Sequence, residues 1–486
     1  MTPASQTVNR WRAFALLALT YFMTIIDLTI VNVSLPTIGR DLHFSQTNLQ
    51  WVVTAYALTF GGLLLLGGRG ADLVGRRRIL LLGVALFTSA SLTCGLSTGD
   101  AFLIGSRAVQ GVGAALMLPA ALSLVMNMFE EGAERNKALG IWGGLGAAGA
   151  TVGLIAGGLL TRYAGWQYIF FLNVPIGAGA LLLAPRILPE SRLAIERRQF
   201  DVAGGVTGTA GLVLLVDAIS QAPQYGWGGT RTLALLGASV ALLLTFVVIE
   251  SRVESPLLPL SIFRLRTLAG ANLAGLLLGG SFFAFVFVGT LYMQQVLHYS
   301  ALQSGVAWLA ASLTSIALAG ISQWLVTRGG AKIVMTIGMT LIGAGVIWAT
   351  QVPVHGRFLA DLAGPFAVAG AGTAFAFIPI SIGALAGVAD DRAGLASGLL
   401  NTSQQLGGAI GIAIASSVAA SHSHVLLHAG DAAPVALTGG FQRALWVLGA
   451  IALLALPAIF GLVRQGELST AVAKAAVGEP ALAPAG

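Results

Sequence analysis

Fourteen long apolar runs recur from one end of this chain to the other, and they constrain its fold more than any other feature. They fall at 13–33, 50–68, 79–97, 102–125, 138–160, 166–185, 203–220, 232–249, 268–293, 304–326, 333–351, 361–386, 395–420 and 442–463. Each holds roughly 17–25 residues, enough at ~1.5 Å per residue to cross a ~30 Å hydrocarbon core. Inside a bilayer the backbone must satisfy its own hydrogen bonds, so runs of this length are helices; a barrel would show short alternating segments. Only 9% of the 486 residues are charged, against ~25% in a soluble domain. The expected fold is an all-α polytopic membrane protein.

The short basic loops orient it. If the chain alternates sides at every run, 20 of the 26 Lys and Arg residues fall on one side, in clusters such as Arg69/Arg76/Arg77/Arg78 and Arg186/Arg192/Arg197/Arg198. Basic loops stay in the cytoplasm, which places both termini there. The same bias accounts for the net charge of +7 as a topology signal and assigns no nucleic acid to it. Basic clusters at both ends of 186–267 require an even number of spans between them, and two apolar runs separated by the turn-rich Gln221–Thr230 supply it. The chain therefore divides into a cytoplasmic N-terminus (1–12), a six-helix half (13–185), a connecting segment with two extra helices (186–267), a second six-helix half (268–463) and a cytoplasmic tail (464–486) expected to be disordered. The first run is too long for a signal-peptide core and is expected to be retained.

The turn between the second and third runs reads Gly68-Arg69-Gly70-Ala71-Asp72-Leu73-Val74-Gly75-Arg76-Arg77-Arg78. Taken alone it is a tight, glycine-hinged, positive-inside anchor. It also resembles the signature loop of the major facilitator superfamily, G-x-L-A-D-x-x-G-R-[KR]; Gly70 stands in place of the usual Leu and Leu73 in place of a frequent Arg. The resemblance implies a cytoplasmic latch that holds one conformer of a transport cycle, with Gly68, Asp72, Gly75, Arg76 and Arg77 as its working residues. A degenerate echo, Thr327-Arg328-Gly329-Gly330-Ala331-Lys332, follows the tenth run, and Glu130/Glu131…Arg135 is echoed by Asp390-Asp391-Arg392. Two similar halves are a transporter pattern, with the substrate expected near the midplane between them.

Asp27 lies within the first run, where a carboxylate costs roughly 2.5–3.5 kcal/mol to insert and so needs a cavity or a partner. Counting the rise along each helix puts Asp27 and Arg107 both about 9 Å below the outer face. The pair is either a static ion pair or a proton- or substrate-linked site. Arg107 opens Arg107-Ala108-Val109-Gln110-Gly111-Val112-Gly113-Ala114-Ala115, which resembles the R-x-x-Q-G-x-G-A-A motif of the same superfamily; the resemblance ties this Arg to proton coupling. Gly149, Gly153, Gly157 and Gly158 resemble the antiporter motif that ends G-P-x-x-G-G, with Leu154 where the Pro stands. On residue spacing alone they are a smooth face for helix packing.

Two further stretches, Asp27…Thr29-Ile30-Val31-Asn32-Val33…Leu35-Pro36 and Gly165-Trp166-Gln167-Tyr168-Ile169-Phe170-Phe171-Leu172-Asn173-Val174-Pro175-Ile176-Gly177, are similar to the fourteen-span drug:proton antiporters, the EmrB/QacA branch. That resemblance implies efflux of lipophilic, often cationic, drugs or antibiotics across the bacterial cytoplasmic membrane, driven by the proton gradient with no other cofactor. A proton-symporting importer of a small metabolite is the alternative, favoured by the absent Pro. Asn32, Gln110, Tyr56 and Tyr292 are the polar and aromatic candidates for a substrate cavity. Neither the substrate nor an accessory protein can be named from the residues.

Other chemistry finds little support. Cys94 is the single cysteine, so neither a disulfide nor a zinc framework is expected. None of the three lysines follows a Walker loop, and Gly95-Leu96-Ser97-Thr98-Gly99 lacks the strand-to-helix setting of a hydrolase elbow. No enzymatic activity is expected. Asp217, Asp361 and the histidines His422, His424 and His428 read as solvated interfacial or outer-loop residues.

Overall fold

A computed structural model describes residues 10–129, 133–190, 201–253, 256–389 and 392–468. The echo formed by Glu130/Glu131 and Asp390/Asp391, and the tail from 469 onward, lie outside the described residues. Among the described residues, fourteen helices are long and apolar enough to span a membrane. In chain order they are α1 (Arg10–Asp41), α2 (Trp51–Val74), α3 (Arg76–Gly95), α4 (Asp100–Met128), α5 (Lys137–Tyr163), α6 (Gln167–Ile187), α7 (Val202–Tyr225), α8 (Thr230–Arg252), α9 (Arg266–Gln295), α10 (Ala301–Gly329), α11 (Ala331–Gln351), α12 (Phe358–Leu385), α13 (Ala393–His428) and α14 (Ala433–Leu462). The chain is a multi-pass membrane protein.

Several helices outrun their apolar cores. α1 continues to Asp41 and α13 to His428, because intrahelical bonds persist in polar turns beyond the apolar stretch. His422, His424 and His428 therefore ride on the end of a helix instead of a loop, and His428 Nδ1 lies 2.8 Å from the His424 carbonyl.

Packing repeats between α1–α6 and α9–α14. In the first set α2 and α3 both pack on α4, α1 packs on α5, and α3 packs on α6; in the second α10 and α11 pack on α12, α9 on α13, and α11 on α14. The two sets meet through α2 with α13 and through α5 with α10. Those two contacts exchange under the repeat, as a pseudo-two-fold arrangement requires. Of the extra pair, α7 lies against both α2 and α13, whereas α8 packs on α7 and leaves Leu233, Val240, Leu244 and Val247 exposed. In a bilayer that face meets lipid.

The α2–α3 turn marks what is here termed the basic end of the bundle. Toward the opposite end α5 and α10 come into backbone contact. A Cβ on Gly158 would stand 2.6 Å from Leu302 Cα, and one on Gly305 would overlap the Leu154 carbonyl. At the same end Gln294 Nε2 donates to the Val33 carbonyl (2.7 Å) and Arg162 to Ser300 Oγ (3.4 Å). Toward the basic end Gly140, Gly143 and Gly144 of α5 and Gly320 of α10 have open space where a Cβ would project.

Candidate functional site

Asp27 is fully buried, and three side chains donate to it. Arg107 Nη1 lies 2.6 Å from Asp27 Oδ2; Gln110 Nε2 (2.8 Å) and Asn173 Nδ2 (3.0 Å) both reach Oδ1. Arg107 is held in turn by further contacts: Nε donates to the Val52 carbonyl (2.9 Å), Nη1 also to Gln110 Oε1 (2.6 Å), and the guanidinium carbon stands 4.3 Å from the centre of the Tyr56 ring. Ser91 Oγ accepts from Gln110 (2.8 Å) and donates to the Phe87 carbonyl (2.8 Å). The elements that build this cluster are α1, α2, α3, α4 and α6, all in the first half.

Helix geometry explains the convergence. Arg107 and Gln110 are three residues apart, one turn along α4, so both face α1. Asn173 opens the second segment of α6 after a break at Leu172, and its side chain turns inward with 1% exposure. The result is an ion pair whose carboxylate has every near oxygen satisfied, the condition under which a buried charge survives.

The structure brings Asp27, Arg107, Gln110 and Tyr56 together; the other two cavity candidates lie apart. Asn32 turns its Nδ2 back to the Leu28 carbonyl (3.0 Å), while its Oδ1 is buried without a partner. Tyr292 belongs to the second half, where its hydroxyl donates to the Pro353 carbonyl at 2.6 Å and its ring stacks edge-on to Phe441. It is a core residue there, 2% exposed, and does not line an opening. Tyr56 is likewise a packing surface for Arg107.

The glycines of α5 have two tasks. Gly149, Gly153 and Gly157 recur every four residues and face Ile25, Thr29 and Ile30 of α1, so α1 is drawn close on the flank of Asp27. Gly158, one position on, faces α10.

The basic loop is latched within its own half. Asp72 pairs with Arg76 at 3.2 Å, one turn away. Arg77 donates to the Leu188 and Pro185 carbonyls at the end of α6 (3.0 and 3.4 Å), and Glu190 takes the Arg77 backbone N–H (3.2 Å) with Arg77 and Arg78 side chains at 3.7 and 3.6 Å. Gly75 holds φ at +127°, and a Cβ there would stand 2.6 Å from Glu190 Oε1; Gly68 has only Pro119 Cβ near, at 3.6 Å. The echo does the same in the second half: Lys332 Nζ donates to the Val463 and Phe460 carbonyls (2.8 and 3.2 Å), and Gly330, at φ +88°, abuts Gln465. Each half thus ties its third helix to the C-terminus of its sixth, where exposed carbonyls and the helix dipole favour a cation.

Sequence reasoning missed Asn173 and Ser91 in the cluster and Glu190 at the loop. Asn173 carried a signal, a lone amide inside an apolar run; Ser91 and Glu190 carried none.

Residues 17–412 match the family model described as Major Facilitator Superfamily. Among curated proteins, the chain is 37% identical over 436 residues to the cephamycin export protein of Amycolatopsis lactamdurans, covering 88% of this chain and 90% of that protein. It is also 37% identical to the puromycin resistance protein of Streptomyces alboniger, covering 89% and 86%. Among solved structures, an auto-inhibited POT family peptide transporter superposes with a TM-score of 0.67 at 13% identity, covering 92% of this chain and 96% of that one; this likeness speaks for the fold.

Proposed function

Because the chain belongs to the major facilitator superfamily, we propose that it is a proton-coupled exporter of antibiotics or other lipophilic, often cationic, compounds, working by alternating access in the bacterial cytoplasmic membrane. Relatives named for antibiotic export and resistance support the direction and the class of cargo. The bias of basic residues toward the α2–α3 end supports a cytoplasmic basic end and cytoplasmic termini.

The observation that carries the coupling is the Asp27–Arg107 pair, sealed in the first half with Gln110 and Asn173 as further donors. A proton on Asp27 abolishes the carboxylate that balances Arg107. The guanidinium then stands buried without its counter-charge, which raises the energy of this packing relative to any other that solvates it. Proton binding and release therefore shift the balance between two arrangements of the halves, as a coupling ligand must. In this reading the end closed by the contact of α5 with α10 at Gly158 and Gly305 is the outer one. The latches at Asp72–Arg76 and Arg77–Glu190 keep the first half rigid as it rocks.

The test uses purified protein in liposomes with an imposed proton gradient, a fluorescent cationic dye, and wild type against Asp27→Asn, scored per folded protein. Gradient-driven dye movement opposite to the proton flux, lost in Asp27→Asn, is the expected result. Movement in the same direction as the protons would instead favour the importer that Leu154 suggests. Equal transport by Asp27→Asn would remove Asp27 from the mechanism.

A further inference from the structure

Two carboxyl groups outside the central cluster are also buried, and both belong to the extra helix pair. Asp201 caps the start of α7, its Oδ1 accepting the Gly204 N–H at 2.7 Å. Glu250 stands near the end of α8, its Oε2 accepting the Leu258 N–H at 3.0 Å. Their exposures are 5% and 3%. Each therefore has one oxygen on a backbone donor, and the second oxygen of each, Asp201 Oδ2 and Glu250 Oε1, is buried without a hydrogen-bond partner.

Those two orphaned oxygens point at the same place. A Cβ on Gly204 would stand 2.5 Å from Asp201 Oδ2 and 2.9 Å from Glu250 Oε1; the absence of that carbon gives the two groups room to meet. Both oxygens thus lie within 3 Å of that one point, and two carboxylates have no donor between them. Around them are α2, through Leu63 and Leu66 beside Gly205, and the strap that leads into α9, through Leu257. Arg252, two positions along α8, is exposed. Among the described residues, Asp201 is the one charged side chain acting on Glu250 from any element packed here.

Two ionised carboxylates cannot share a dry site without a counter-ion, and one retained proton both cancels a charge and supplies the missing donor. We propose that Asp201 and Glu250 hold one proton between them at neutral pH, so that the cytoplasmic end of the α7–α8 hairpin is a second protonation site, independent of Asp27. The bound proton joins α7 to α8 as O–H···O⁻. Its release leaves two facing anions and loosens the hairpin at the place where α7 enters the seam between α2 and α13.

Infrared spectroscopy of the full chain in sodium- and potassium-free buffer reads the proton directly, through the C=O stretch of a protonated carboxyl. A band present at neutral pH in wild type and in Asp27→Asn, and lost in both Glu250→Gln and Asp201→Asn, is expected. The amide of Glu250→Gln can donate to Asp201 in place of the proton, so this variant keeps the junction closed; should it fail to fold, Asp201→Asn gives the same reading. Thermal stability checks the sign. The folded protein holds a proton that the unfolded chain releases, so wild type loses stability as pH rises through the release, and Glu250→Gln is flat over that interval. Absence of the band in wild type, its survival in both variants, or its displacement by added sodium, which would make the ligand a metal cation, each overturns the proposal.

Discussion

Replacing Asp27 with Asn leaves the Arg107 guanidinium buried, 1% exposed, with no counter-charge and no way to shed its own, since an Arg side chain does not deprotonate in a protein. At the observed 2.6 Å separation the attraction within the pair is about 6 kcal/mol at an effective dielectric of ~20. Desolvation takes back several kcal/mol for each ion, so the intact pair is close to break-even, whereas losing one partner costs about 3–5 kcal/mol. Asp27→Asn should therefore lower the folded-to-unfolded ratio by roughly 10²–10⁴-fold. Arg107→Leu should cost less, because the stranded carboxylate keeps the amides of Gln110 and Asn173 and can take up a proton. The double variant Asp27→Leu/Arg107→Leu removes both charges and should fall short of the summed losses by about 1–3 kcal/mol. Reversible unfolding in mixed micelles at neutral pH, followed by tryptophan fluorescence, gives all three free energies. If the two single losses add to the double within ~0.5 kcal/mol, the pair is not coupled and the reasoning about its neutralisation fails.

Two further outcomes follow from the close contacts. Gly305→Val puts side-chain atoms on the Leu154 carbonyl; overpacking of about 1–3 kcal/mol should open the end opposite the basic one, lengthening the distance between spin labels at Tyr163 and His298, and an unchanged distribution would refute the seal. Gly75→Ala forces a Cβ into a φ of +127° and against Glu190 and should cost upwards of ~1 kcal/mol, whereas Gly140→Ala, mid-helix with open space, should stabilise by about 0.5–1 kcal/mol; equal melting shifts would refute the reading of the turn.

The fourteen spans were legible because hydrocarbon imposes a minimum apolar length on every span, and that length is visible as composition. Their ends were not, since turns beyond the bilayer keep helical bonds without an apolar signal, as at Asp41 and His428. The Asp27–Arg107 pairing was legible for a related reason: two charges in an apolar sequence, counted to the same depth, have few alternatives to each other. Asn173 adds a third donor from 146 residues away, a relation that depends on how α6 turns about its own axis, and hydropathy is blind to rotation. Tyr292 shows the converse. An aromatic in an apolar run has the same sequence context whether it faces an opening or, as here, locks a loop carbonyl. Glu190 sits beyond the last apolar residue of its half and looks like any solvated acid until α6 and the Arg77 turn are brought side by side. Asp201 and Glu250 carry no signal in the sequence, because each stands at a predicted helix end, where a carboxylate ordinarily meets water.

The place of α7 has a mechanical consequence. It touches α2 of one half and α13 of the other, and those two helices also touch along their length, with the Thr402 hydroxyl donating to the Gly61 carbonyl at 3.0 Å and Gly398 lying against Leu65. When two bodies tilt against each other, points beside the line of contact travel least. A hairpin seated on that line can ride through a rocking motion with little sliding, while α8 on its outer side faces only lipid. Seated beside α5 and α10 instead, the same hairpin would span the gap that has to open and would brace it shut.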